Sequence, residues 1–138
     1  MKFVNQLIGE IEVSNEKVID FPQGIIGFEN HKKFAIVNNS SYKPFCWLIS
    51  MDQNDFAIPV VNPFLLIREY HKKFPRELIE ELKENESNYE VLCVVNPKGN
   101  NGSVTLNLKG PILIDYVKQE GRQIILTAEI LSVSYPLN

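Results

Sequence analysis

An all-β domain, a sandwich or a barrel broken by one short helix, is what the residue pattern predicts. Three observations carry this. Short apolar or alternating runs rich in Ile and Val recur along the chain. Clusters of Asn, Gly, Pro and Asp part them at steady spacing, as many short strands joined by turns require. One stretch alone, RELIEELKEN from Arg76, spaces its apolar residues for a helix.

The elements follow in order. KFVNQLIGEIEV reads as a hairpin or bulged pair broken at Gly9, and KVIDF as a short strand. In FPQGIIGF, Pro22 suits the second position of a β-turn and Gly24 its fourth. Ile25, Ile26 and Phe28 are expected inside, with Gly27 where a side chain would not fit. KFAIVN, FCWLISM and FAIPVV are the next strands. Proline donates no ladder hydrogen bond, so Pro59 predicts an edge or a bulge. After Pro75 the helix places Leu78, Ile79 and Leu82 on one face and Glu77, Glu80, Glu81 and Glu84 on the others. YEVLCVVN is apolar on both faces and reads as a central strand. Asn101-Gly102 marks a hairpin. VTLNLKG alternates, with Val104, Leu106 and Leu108 inward. GPILIDYV, RQIILTAE and ILSVSYPLN complete the set. Ile25, Trp47 and Ile112 are expected in the core. ENHKKF (29–34) and EYHKKF (69–74) nearly match, but nothing beyond them does, so no structural repeat is expected.

Composition narrows the function classes. A chain of 138 residues suits one domain, spanning 1–138. Such a chain buries roughly 68% of its unfolded surface, enough for a core without staples. The formal net charge of −3 argues against direct nucleic-acid binding, which needs clustered Lys and Arg, and suits basic partners. The opening MKFVNQLIGEIEV lacks the apolar run of a signal peptide, and no stretch approaches the length of a membrane span. The expectation is a cytoplasmic protein with no membrane contact. Cys46 and Cys93 sit in apolar runs and are expected as two buried free thiols.

Catalytic constellations are scarce. His31 and His71 lie in charged segments with no Ser/Asp pattern beside them. Two lone His and two lone Cys show no metal-ligand spacing, so neither a metal nor a cofactor is expected. GIIG lacks the Lys-Ser/Thr and the third glycine of a phosphate loop. The reading is of a non-enzyme. What stands out is charge. Six of the 17 acidic residues, Glu77, Glu80, Glu81, Glu84, Glu86 and Glu90, fall between 77 and 90, just after the apolar run NPFLLIREY. An apolar run beside an acidic helix fits a protein–protein contact, and it also fits a core strand beside a surface helix, which is the commoner arrangement.

In order, FPQGIIGF, PFCWLISM, FAIPVVNPF and LNLKGPILID followed by GRQIIL resemble the motifs of the flagellar assembly factor family, FliW. The blocks cover most of the chain. Asn62 stands where that family usually has Asp before Pro63, Ile49 replaces a polar residue, and Pro59 interrupts the Val-rich strand. The resemblance implies a small β-barrel-like domain of about ten short, mostly antiparallel strands, monomeric and without catalysis. It implies two mutually exclusive partners. One is flagellin before export. The other is the carbon storage regulator CsrA, an mRNA-binding repressor of flagellin translation, whose relief acts away from its RNA face. On this reading the partner surface is flanked by the 77–84 helix and the 62–70 segment, through Asn62, Phe64, Tyr70, Glu77, Glu80, Glu81 and Glu84. A β-barrel nucleic-acid binder using Lys32–Lys33 and Lys72–Lys73, or a small enzyme with a site assembled around His31 and His71, stay open at this point.

Overall fold

The computed structural model describes residues 1–38, 43–85, 87–97, 103–127 and 133–137. The hairpin β1 (Lys2–Asn5) and β2 (Gly9–Glu12) stands apart as its own two-stranded sheet. Seven strands then form a ring: β3 (Val18–Asp20), β4 (Lys33–Asn38), β5 (Cys46–Ser50), β6 (Ala57–Val61), β7 (Tyr89–Asn96), β9 (Ile112–Asp115) and β10 (Glu120–Gln123). Successive neighbours around it are antiparallel except at the closing seam, where β10 meets β3 in parallel at Glu120 and Asp20. Closure leaves the ring no edge. β8 (Thr105–Leu106) pairs with the end of β7 and carries β11 (Tyr135–Pro136). Helix α1 (Arg76–Glu84) is the sole α-helix among the described residues. The barrel-like, mostly antiparallel fold is thus as expected, with eleven strands among the described residues.

The core is split by the barrel wall. Ile19, Phe34, Ile36, Leu48, Ile58, Val60, Leu92, Ile112 and Ile114 fill the inside, contributed by six of the seven strands. The seventh, β10, offers Gly121, and the ring of Phe21 takes the place of the missing side chain. A second cluster lies between the wall and α1: Val61, Tyr70, Phe74, Leu78, Val91, Cys93, Val95 and Leu113 among others. Alternation assigns the faces. In β7, Leu92 points into the barrel and Val91, Cys93 and Val95 point to the helix layer. That is why the middle of this strand, 91–95, is apolar on both faces.

FPQGIIGF closes the barrel beside this seam. Gly24 N–H donates to the Phe21 carbonyl (2.9 Å), the β-turn that Pro22 and Gly24 announce. Gly24 has φ +71°, and a Cβ there would sit 3.0 Å from the Glu29 Cα. Gly27 differs from expectation: space around it is open, and its φ of +89° is what demands glycine. Ile25 is buried, but Ile26 is 62% exposed. Its N–H donates to Gln123 Oε1 (2.9 Å), while Gln123 Nε2 donates to the Gly110 carbonyl (3.0 Å). One glutamine therefore ties FPQGIIGF to LNLKGP through GRQ. Asn107 Oδ1 caps the turn it interrupts, accepting from the N–H groups of Lys109 and Gly110.

Several expectations give way to register. Trp47 pairs with Val37 and Pro59 on the outer face of β5, where it is only half-buried; Leu48 takes the inner place. Ile112 is in the core as expected. Pro59 is not on an edge strand. It precedes the point, Val60 opposite Val94, where the β6–β7 ladder begins, so its missing N–H breaks no continuous ladder. Thr105, expected outward, is buried. Cys93 is a buried free thiol, whereas Cys46 is only half-buried. NPFLLIREY is no strand: Pro63–Leu65 and Tyr70–Lys73 form 3-10 turns. The twin hexapeptides diverge, for Lys33–Phe34 enters β4 while Lys72–Lys73 ends a 3-10 turn. Asn101-Gly102 lies outside the described residues.

Candidate functional site

The helix divides its surroundings by its own period. Leu78 is buried against the barrel wall. At 100° per residue, Glu77, Glu81 and Glu84 then lie along one flank, Ile79 and Lys83 along the other, and Glu80 faces solvent. The contacts agree. Glu81 reaches across to β10, where Arg122 Nη2 donates to both of its carboxylate oxygens (2.7 and 2.9 Å) and the Tyr89 hydroxyl donates to Oε2 (3.3 Å). Glu80 lies 3.9 Å from Arg76 Nε, one turn back. Glu77, Glu80 and Glu84 are exposed.

Glu81 is therefore a strut between helix and barrel. Its side chain is 33% exposed and that of Arg122 is 52% exposed, so solvent screens the pair. Arg122→Ala should lower stability by about 0.5–1 kcal/mol, as for other semi-exposed pairs of good geometry. A urea midpoint indistinguishable from the parent chain's would show that the strut carries no load.

The 62–70 segment is built on caps and rings. Asn62 Oδ1 accepts from the Phe64 N–H (3.0 Å) and so starts the first 3-10 turn. A neutral amide does this as well as a carboxylate, which accounts for Asn at this position without a charge. Phe64 is half-buried, with its ring 6.0 Å from that of Tyr70 and 5.9 Å from that of Phe74. Tyr70 does not reach the surface: it is 2% exposed, and its hydroxyl donates to the Leu108 carbonyl (2.5 Å). Expected at a partner face, Tyr70 is instead the pin of the layer beneath α1. Burial raises the pKa of its phenol, and the neighbouring Cys93 raises it further. Burial also pushes the Cys93 thiol up to about 12.

Between segment and helix runs a groove of about 450 Å³, lined by Asn62, Phe64, Leu82, Tyr89, Glu90 and Tyr116 among others. Its polar end is a Tyr116 hydroxyl donating to Glu90 Oε1 (2.5 Å), with the Lys17 ammonium 4.4 Å from the centre of the Tyr116 ring. Burial, and then Glu90, raise the Tyr116 pKa. Of the seven sequence-derived site residues, Asn62 and Phe64 line this groove. Glu77, Glu80 and Glu84 stand exposed on the helix, Glu81 is held by Arg122, and Tyr70 is inside. Tyr116 and Arg122 were not foreseen, because their partners are 26 and 41 residues away in sequence.

The histidines occupy separate settings. His31 stacks on Phe56 (centroids 4.3 Å apart), and its Nδ1 is hydrogen-bonded to Ser50 Oγ (2.8 Å). Ser50 is fully buried, and the Asp52 carboxylate is turned to the N–H groups of Lys32 and Lys33. The three do not compose a nucleophile, base and orienter. His71 instead donates from Nδ1 to the Arg68 carbonyl (3.2 Å). Of the two Lys pairs, Lys33 meets Asp20 (3.7 Å) and Lys72 meets Glu69 (3.1 Å). Among the described residues no group of three or more His, Cys, Asp or Glu is placed to hold a metal, and no helix is long and apolar enough to cross a membrane.

Residues 2–137 match the family model described as FliW protein. The chain is similar to the flagellar assembly factor FliW of Thermosipho africanus, 32% identical over 142 aligned residues that cover 100% of this chain and 96% of the relative. It is similar to that of Thermotoga maritima, 38% identical over 124 residues, 88% of this chain and 83% of the relative. Its fold is similar to the crystal structure of the flagellar assembly factor FliW, with a TM-score of 0.79 and 24% identity over 100% of this chain and 97% of that one.

Proposed function

The chain belongs to the FliW family, and we propose that it is a non-catalytic, cytoplasmic regulator of flagellum assembly. On this reading it binds flagellin. Free of flagellin, it binds the carbon storage regulator CsrA and relieves repression of flagellin translation. The observation that carries the reading is the exposed acidic flank of α1, with Glu77 and Glu84 in line and Glu80 beside them. An mRNA-binding repressor is a basic partner, and an acidic flank speeds encounter with it.

The test is calorimetric titration of purified regulator into the chain and into a Glu77→Lys/Glu80→Lys/Glu84→Lys variant. Glu81 is left in place because it holds Arg122. Binding to the variant should weaken about tenfold, or 1.4 kcal/mol, and lose much of its salt dependence. Equal affinity and equal salt dependence would remove this flank from the regulator interface. No heat from the unaltered chain with either regulator or flagellin would overturn the reading itself.

A further inference from the structure

On the opposite flank of α1 lies a second groove of different character. It holds about 330 Å³. Phe64, Ile79 and Leu82 form its apolar floor, and Arg68, His71 and Lys83 stand around it. Phe64 and Leu82 also line the first groove, so the two grooves share a wall. The charge here runs against the rest of the molecule. The chain is net acidic, yet the three polar residues of this rim are basic side chains, all exposed. Lys72 and Arg76 nearby already meet Glu69 and Glu80, whereas Arg68 and Lys83 form no ion pair among the described residues. The His71 ring is held by its bond to the Arg68 carbonyl.

An apolar floor inside a cationic rim selects its occupant. A basic partner is repelled, and a wholly apolar one leaves the rim unanswered. The elements around the groove are α1 and two 3-10 turns, with no strand edge for an extended peptide to join. We infer that this groove is a docking site for an acidic amphipathic helix of a partner protein. That helix would lay apolar residues one turn apart on Phe64, Ile79 and Leu82 and set Asp or Glu against Arg68 and Lys83. The inference goes beyond the regulator interface proposed above. It gives the protein two partner surfaces of opposite charge on the two flanks of one helix, and it does not depend on which proteins use them.

The test is selection of a displayed library of 16-residue helical peptides on the full chain at 150 mM salt. The enriched peptides are then titrated against three proteins: the parent, Arg68→Glu/Lys83→Glu, and Glu77→Lys/Glu84→Lys. Enriched sequences should share apolar residues at i, i+3 or i+4, and i+7, flanked by Asp or Glu. They should bind at least tenfold more weakly to Arg68→Glu/Lys83→Glu and within twofold of the parent to Glu77→Lys/Glu84→Lys. All the altered side chains are exposed, and matching circular dichroism confirms the fold of each variant. Enrichment of peptides lacking acids, equal binding to Arg68→Glu/Lys83→Glu, or no enrichment over an unrelated protein would each overturn the inference. So would a dimer by light scattering that Arg68→Glu/Lys83→Glu dissociates, which would assign the groove to a second copy.

Discussion

Phe21→Ala should cost the protein about 3–5 kcal/mol, the range for removing a buried aromatic side chain from a core that cannot collapse onto the space. Phe21 is fully buried at the seam where the barrel closes. Its ring meets Phe34 edge-on at 5.4 Å. It also lies over Gly121, so closely that a Cβ there would fall 2.4 Å from Phe21 Cζ. The wall cannot shift to fill the void, because β10 is held on both sides, by β9 and by β3. Against a typical total of about 5–15 kcal/mol, such a loss threatens folding itself. Urea unfolding should show a large fall in midpoint at unchanged slope.

Gly121→Ala should fail for the opposite reason, forcing the ring aside at a cost of about 1–3 kcal/mol. Phe21→Ala/Gly121→Ala discriminates, because the new methyl enters space the ring has left. Its cost should be less than the sum of the two singles. Additive costs would mean that the ring does not rest on Gly121, and the account of the seam would fall with it.

What was legible beforehand was local. The turn at Pro22 and Gly24 needs four residues, and four residues announce it. The helix shows in the spacing of Leu78, Ile79 and Leu82, and the two-sided burial of β7 shows in YEVLCVVN. What stayed hidden depends on register or on distant partners. Trp47 and Leu48 are both apolar, and only pairing with β4 and β6 decides that Leu48 faces in. Ile26 is as apolar as Ile25, yet its backbone is drawn outward to Gln123, 97 residues on. The four helix acids look equivalent in sequence, and only the distant partners Arg122 and Tyr89 separate Glu81 from the rest. The apolar run from Phe64 to Ile67 resembles a strand until the Asn62 cap and Pro63 turn it into 3-10 geometry.

Tyr70 tests the boundary between surface and core most sharply, because its sequence neighbourhood placed it at a partner face. Tyr70→Phe keeps the ring against Phe64 and Phe74 and removes one oxygen. The Leu108 carbonyl then loses a buried donor, which costs about 1–3 kcal/mol. The effect has a defined pH course. Burial raises the folded-state pKa of this phenol above the unfolded value of about 10. The folded state therefore keeps its proton where the unfolded state gives it up. The contribution of the hydroxyl is fully present below pH 10 and is lost as pH rises further. The gap between parent and Tyr70→Phe should be constant from pH 6 to 9 and narrow above about pH 10, measured by urea unfolding at each pH. Partner affinity of the folded variant at 25 °C should stay within twofold of the parent. A stable variant that has lost a partner would return Tyr70 to the binding surface, while an unstable one that still binds fixes it as the pin beneath the helix.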